Sequence, residues 1–448
     1  MSHSIGIDTG RPTAGLDETH DPRLRSFIAA ANEAGTDFPI QNLPFAVYRQ
    51  AGTSQAFRVG VAIGDRILDV HAVRDHLDQS AAQAAQACGE SSMAALMSLG
   101  RPHWTALRTG LSRLLREGSP HEAAVTRALT DTERAEFTVP APIPNFSDCL
   151  ASIHHISRMV RLKRPQNPEL PPAFVWSPLA YNSRASTVRV SGYEFRRPSG
   201  QLGLSEQGVP AFGPTRMLDY EAELGIYVGT PSRQGEPLSV DAADEAVFGL
   251  SVLNDWTARD VQGWEAQPLG PFQAKSFTTT ISPWVVTLEA LRPFRQRWQR
   301  ASGHPPPPPN LDTSRNSERG GLSVQLEIRL QTAKAREQGQ PPALLGSSNL
   351  MDCYWSIGQL VAHHTTNGCA LERGELIGTG TVSGPESGQC GCMYELTAGG
   401  KAPVELPTGE RRGFVGDGDS LSVSAFCEAA GFRRIGFGVA KATVLPGR

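Results

Sequence analysis

Met217-Leu-Asp-Tyr-Glu-Ala-Glu-Leu-Gly-Ile-Tyr-Val-Gly229 is an apolar run that reads as a buried β-strand, broken only by acidic groups such as Glu221 and Glu223. Side chains two apart on a strand share a face, with Cα atoms roughly 6.5–7 Å apart. Two anions facing one dry pocket repel each other and are costly to desolvate unless a cation sits between them or one is protonated. A divalent metal with oxygen ligands is the economical explanation. The plainer one is a solvated face, on which both acids meet water while Tyr220, Ala222 and Leu224 pack.

Working outward, the same strand-like texture recurs at 187–190, 246–254, 285–288, 322–330, 376–379 and 420–425, with a clear helical stretch only at 349–364. Upstream, residues 44–73 alternate like strands around a Gly64-Asp65 hairpin turn. Residues 80–130 take helical spacing, with Leu96, Leu99, Trp104, Leu107, Leu111, Leu114 and Leu115 on one stripe. The reading is a mainly β chain in three parts. Residues 1–36 form a polar N-terminal extension with a short helical patch near 24–34. Residues 37–140 form a small barrel-like domain with appended helices. Pro140, Pro142 and Pro144 then lead into a larger β domain, 141–448. Within it, Pro305 to Pro309 and the polar residues that follow read as a loop.

With 448 residues the chain is long enough for two domains and a large core. A net charge of -3, with no stripe of Lys and Arg, argues against nucleic acid as a partner and for a small molecule. Seven cysteines and no secretory segment point to free thiols and a cytoplasmic location. No apolar stretch approaches the ~20 residues of a membrane span. The 45 Gly and 34 Pro are scattered as punctuation between short apolar runs, which suits a turn-rich β fold.

Further charged groups accompany the two glutamates. Asp255 ends an apolar strand, in Asn254-Asp-Trp-Thr-Ala-Arg-Asp-Val-Gln262, and Asp148 follows the proline passage, in Asp148-Cys-Leu-Ala-Ser-Ile-His-His155. Four carboxylates suffice for an oxygen site for Mg²⁺ or Ca²⁺, and zinc spacing of Cys or His is absent. Lys275 sits in a Gly/Thr-rich bend, where it either answers the surplus negative charge or stays exposed. His154-His155 offers a base or a structural histidine, and Glu395 an ordinary strand-face acid. Gly378 to Gly384 resembles a nucleotide loop but has no βαβ context, and His363-His364 ends a helix that it more simply caps.

Taken in order, Asp219-Tyr-Glu-Ala-Glu-Leu224, Asn254 to Gln262, Pro268-Leu-Gly-Pro-Phe-Gln-Ala-Lys-Ser-Phe277 and Gly380-Thr-Val-Ser-Gly-Pro-Glu386 resemble the fumarylacetoacetase family. The resemblance covers almost everything after residue 36. It implies an SH3-like N-terminal barrel, a C-terminal β-sandwich roll and a homodimer. It also implies hydrolysis of a carbon–carbon bond in a 1,3-diketone, fumarylacetoacetate giving fumarate and acetoacetate in tyrosine and phenylalanine catabolism. By matching positions Asp148, Glu221, Glu223 and Asp255 hold Ca²⁺ or Mg²⁺, with Lys275 and Thr279 adding charge and a further cation contact. His155 matches the general base that activates water and Glu395 the acid that orients it. Arg164, Tyr181, Arg259, Gln262, Lys275 and Thr381 match substrate or oxyanion contacts.

The chain departs from the family pattern at several points. Leu150 and Ala266 stand where the family has tyrosines, Ile153-His154 replaces Arg-Gln, and Thr278 replaces a glycine. Each lost phenol removes a hydrogen bond worth about 1–3 kcal/mol if its partner is left unpaired. The alternatives are therefore a different 1,3-dicarbonyl substrate in an altered pocket, another reaction on the same metal-bearing fold, or a metal-stabilised binding protein. Retention of His155 and Glu395 favours hydrolysis. His154 competes with His155 as the base, and only the helix register separates them.

Overall fold

The computed structural model describes residues 15–448. Its first unit is a five-stranded antiparallel sheet, ordered Leu129–Asp131, Arg66–Asp69, Arg58–Ile63, Phe45–Gln50, Ala135–Thr138. The expected hairpin joins Arg58–Ile63 to Arg66–Asp69, with Gly64 at φ 58° in the left-handed region that glycine enters without strain. Helices Gln79–Ala87 and Arg101–Leu115 cover one face, and the stripe Trp104, Leu107, Leu111, Leu114, Leu115 is buried as its spacing requires.

Residues 15–36 pack closely against this unit. Thr19, His20, Ser26 and Ala31 are buried, and a Cβ on Gly64 would meet the Ala31 backbone nitrogen at 2.6 Å. The buried Arg108 guanidinium holds Thr19 and the carbonyls of Gln41 and Asn42. The helical patch expected at 24–34 is instead a single 3₁₀ turn, Ala29–Asn32. The remainder of the expected extension, residues 1–14, lies outside the described residues.

Beyond residue 140 two sheets share one core. An eight-stranded mixed sheet runs Ala180–Asn182, Phe146–Cys149, Leu376–Gly378, Ala222–Val228, Val247–Asp255, Thr279–Ile281, Val188–Val190, with Val286–Thr287 pairing Val247–Asp255. A five-stranded sheet runs Ala343–Asn349, Gln325–Gln331, Ser420–Cys427, Ile435–Leu445, Tyr193–Arg196. Leu224, Ile226, Leu250 and Val252 from the first meet Leu326, Ile328, Val423 and Phe437 from the second in one hydrophobic cluster. The chain is mainly β, as its pattern predicts. Among the described residues, no helix is long and apolar enough to cross a membrane.

Three local expectations change. The run at 218–228 is two strands, Leu218–Asp219 and Ala222–Val228, because Asp219 Oδ1 accepts the Tyr220 and Met393 N–H groups and the Glu221 N–H turns to Asn254 Oδ1. The helix expected over 349–364 begins only at Ile357, after a 3₁₀ turn, where Ser356 and Gln359 form a capping box. The polar stretch after the proline run contains a short helix, Ser314–Arg319, capped by Thr313.

Candidate active site

Strand direction assembles the acids. Asp148 and Gly378 end parallel neighbours, Glu223 begins an antiparallel one, and Asp255 pairs with Thr279 across the next ladder. All five positions therefore fall at the same end of five neighbouring interior strands of the eight-stranded sheet. Glu221, in the break between strands, points to the same place: its carboxylate meets Lys275 Nζ at 2.5 Å and Arg259 Nη2 at 2.8 Å. Lys275 Nζ also lies 2.8 Å from Asp255 Oδ2. The remaining Asp255 oxygen accepts from Thr279 Oγ1 at 2.7 Å. Tyr181 donates to Asp148 Oδ2 at 2.6 Å and sits 3.2 Å from Asp255 Oδ2.

These groups are buried and carry too much negative charge for one another. Burial and the neighbouring Asp255 push the Asp148 carboxyl up to about 7. Burial, Asp148 and Glu221 push Glu223 well above the usual carboxylate range. Burial raises Asp255 as well, against the pull of Lys275. For Glu221 burial is outweighed by Lys275 and Arg259, which hold it well below. Lys275 in turn is raised, its burial outweighed by Asp255 and Glu221. One further cation would relieve the excess.

The residues fit a hard divalent ion. Oxygens of Asp148, Glu221 and Glu223 lie within 4.8 Å of one another. Asp148 Oδ1 and Glu223 Oε1 are buried without a hydrogen-bond partner, so lone pairs remain for an ion. Gly380 supplies an N–H to Glu223 Oε2 at 2.9 Å. A Cβ there would lie 2.0 Å from the Cys149 carbonyl, so only glycine fits. Asp255 stands beside this trio with both oxygens already bonded. Lys275, an ammonium with donors and no lone pair, contributes counter-charge.

The second half of the site comes from helix Ile153–Lys163, capped by Ser152, whose hydroxyl accepts the His155 N–H and donates to the Ser383 carbonyl. His155 Nδ1 lies 2.7 Å from Glu395 Oε2, across 240 residues of sequence. The same Glu395 oxygen accepts from Ser383 Oγ and Cys392 Sγ, and Arg158 Nη1 lies 3.3 Å from the other. Burial would raise Glu395, but attraction to His155 and these donors keeps it low and ionised. Burial and Glu395 push the Cys392 thiol well up, so it stays protonated and donates. An ionised carboxylate on Nδ1 fixes the tautomer that leaves Nε2 able to accept a proton.

His155, Lys275, Arg259, Gln262, Tyr181 and Thr381 line one cavity of about 280 Å³, together with Asp148 and Glu221. Its other wall is apolar: Leu150, Ile156, Met159 and Leu179. Besides Asp148 Oδ1, two polar atoms of the wall are buried without a hydrogen-bond partner, Thr381 Oγ1 and Arg259 Nη2, the latter ion-paired with Glu221 but poorly aligned. Size alone does not select this cavity. A groove of about 1140 Å³ and an arginine-lined cavity of about 310 Å³ lie elsewhere, without acid–base pairs of this kind.

Some positions read from the sequence lie apart. Arg164 is exposed at the end of the His155 helix and is not part of the cavity wall. Ala266 terminates helix Arg259–Glu265, also off the wall, whereas Leu150 lies on it. His154 turns away from the cavity toward Asp352, and burial lowers its pKa. Thr278 bonds Tyr193. The sequence reading overlooked Arg158 and Asp219. Arg158 Nη2 reaches the carbonyls of Gly384, Pro385 and Glu386 while Nη1 faces Glu395. Asp219 Oδ2 holds Arg259 Nε at 2.7 Å. Asp219 was visible as the first acid of Asp219-Tyr-Glu-Ala-Glu, but no local rule assigns its partner.

The model of the fumarylacetoacetate (FAA) hydrolase C-terminal domain matches residues 146–445, and that of the fumarylacetoacetase N-terminal domain matches residues 41–140. Curated relatives named fumarylacetoacetase include proteins of Oryza sativa subsp. japonica, 38% identical over 94% of this chain and 97% of theirs, and of Caenorhabditis elegans, 38% identical over 94% and 99%. The Homo sapiens protein of that name is 36% identical over 94% and 99%. A solved fumarylacetoacetate hydrolase from psychrophilic Exiguobacterium antarcticum aligns with TM-score 0.49 and 18% identity over 91% of this chain and 100% of that one.

Proposed function

Because the chain belongs to the fumarylacetoacetase family, we propose that it is a hydrolase of carbon–carbon bonds in 1,3-diketones, converting fumarylacetoacetate and water to fumarate and acetoacetate. The observation that carries this reading is the His155–Glu395 pair, 2.7 Å apart, opening on the same cavity as a carboxylate cluster with uncompensated charge. Asp148, Glu221 and Glu223 would hold Mg²⁺ or Ca²⁺, with Asp255 and Thr279 beside them and Lys275 balancing charge. When bound, such an ion polarises carbonyl oxygens.

This chain's own side chains do the rest. His155 Nε2 takes a proton from water as the oxygen approaches the substrate carbonyl carbon, and Glu395 stabilises the imidazolium that forms. Arg259, Gln262 and Lys275 face the developing oxyanion, the charge whose stabilisation is usually worth most. The carbon–carbon bond then breaks, its electron pair leaves as an enolate, and protonation of that carbon completes acetoacetate. Tyr181 and Thr381 orient the diketone. We also assign residues 37–140 to an SH3-like domain and 141–448 to a catalytic β-sandwich roll, acting as a homodimer in the cytoplasm.

Purified protein incubated with fumarylacetoacetate is expected to bleach the diketone absorbance. Chelation should abolish this and Mg²⁺ or Ca²⁺ restore it, while His155→Ala should lower kcat by roughly 10²–10⁴-fold. Full activity after complete metal removal, or in His155→Ala, would contradict the assignment.

A further inference from the structure

Helix Ile153–Lys163 presents a stripe to the cavity that runs past the histidine. His155, Ile156, Met159 and Lys163 all line the wall, at the i, i+1, i+4 and i+8 spacing of one helix face. Lys163 is thus two turns beyond His155, about 12 Å along the axis at 1.5 Å per residue. Lys163 and its neighbour Arg164 are both exposed, but Arg164 has left the helix and lies off the wall. The three cations of the wall differ in one respect. Lys275 is held by Glu221 and Asp255, and Arg259 by Asp219 and Glu221. Among the described residues Lys163 has no ion pair or hydrogen bond of its side chain; its ammonium lies 5.8 Å from the centre of the Tyr394 ring, which Arg259 also faces at 5.7 Å.

Resting on the reading of the site as a diketone hydrolase, we propose that Lys163 is a specificity-determining residue, anchoring a carboxylate of the substrate remote from the carbonyl that His155 addresses. The chemistry asks for such a group. An extended ligand with a terminal carboxylate, seated against Leu150, Ile156, Met159 and Leu179, has an anion to place at the mouth, where an unpaired ammonium stands. Although Lys163 is exposed, the protein packed around it and, after that, the Arg259 charge lower its ammonium to about 8, and a bound anion would oppose both effects. Leu150 offers no hydrogen bond, so the anchor falls to the one wall cation, among the described residues, with no carboxylate of its own.

The test uses the intact protein with two readouts. Fumarate, a dicarboxylate, is titrated calorimetrically into wild type, Lys163→Met, Lys163→Arg and Arg164→Met. Wild type should bind, Lys163→Met should bind at least tenfold more weakly, and Lys163→Arg should recover most of the loss. In turnover of fumarylacetoacetate, Lys163→Met should raise KM far more than it lowers kcat, and an acylpyruvate lacking the distal carboxylate should not sense the substitution. Fumarate binding that depends on Lys163, without turnover of the diketone, would uphold the anchor and defeat the proposed reaction. Equal binding by Lys163→Met and wild type, no binding by wild type, or a loss confined to Arg164→Met would overturn the anchor.

Discussion

At the residue scale, small changes at the acid cluster have large consequences because its atoms are close and dry. Gly378 lies against both carboxylates: a Cβ on it would stand 2.8 Å from Asp148 Oδ1, which has no hydrogen-bond partner, and 2.8 Å from Glu223 Oε2, which accepts the Gly380 N–H. Gly378→Ala should therefore splay these carboxylates and weaken divalent-ion affinity by roughly 10–100-fold, the usual cost of disturbing the groups that orient ligands. Competition against a fluorescent chelator measures this, and unchanged affinity in a folded variant would remove these oxygens from the metal site. The spacing of Glu221 and Glu223 was legible because strand alternation is local. That Glu221 sits in a break and still faces the cluster was not, because Asp219 and Asn254 redirect the backbone through contacts up to 174 residues away.

At the scale of elements, side chains at turns and caps tie distant segments together. Glu410 precedes the strand Arg411–Arg412 of a small hairpin and accepts from Thr332, the N-cap of helix Ala333–Glu337, from Thr408, and from Arg412. The Thr332 hydrogen bond, then those of Thr408 and Arg412, lower its pKa to about 2 against desolvation, which raises it. A carboxyl lowered on folding contributes stability above its unfolded pKa near 4.3 and loses it as pH falls toward the folded value. Glu410→Gln should thus be less stable than wild type at pH 5, with the gap closing between about pH 4.3 and 2. Urea midpoints across that range decide it, and a gap independent of pH would show that ionisation is irrelevant there. Helices read from periodicity survived where a cap agrees with it, as at Ser356. The short helix Ser314–Arg319 escaped notice because six polar residues carry no hydrophobic period.

At the scale of the molecule, the two sequence regions share a core. Val47, Leu68 and Leu107 of the first unit cluster with Phe146, Phe248, Leu253 and Leu376 of the eight-stranded sheet. Trp104 packs edge-on against Phe248 at 5.0 Å between ring centres. The boundary drawn from composition is therefore expected not to divide the chain into separately unfolding parts. Calorimetry should show one unfolding transition, and Trp104→Ala should cost about 3–5 kcal/mol while keeping it single. Two separated transitions in the wild type would refute the shared core. The sequence alone determined the β-rich class, the oxygen-donor chemistry of the acids, the helical stripes and the family, because residue type and short spacing act locally. Tertiary structure alone decided that His155 and not His154 faces the cavity, that Glu395 reaches it from 240 residues away, and that Lys163 and not Arg164 lines the wall. Such pairings depend on how strands are ordered and how far a helix is rotated, and those follow from the packing of the whole chain.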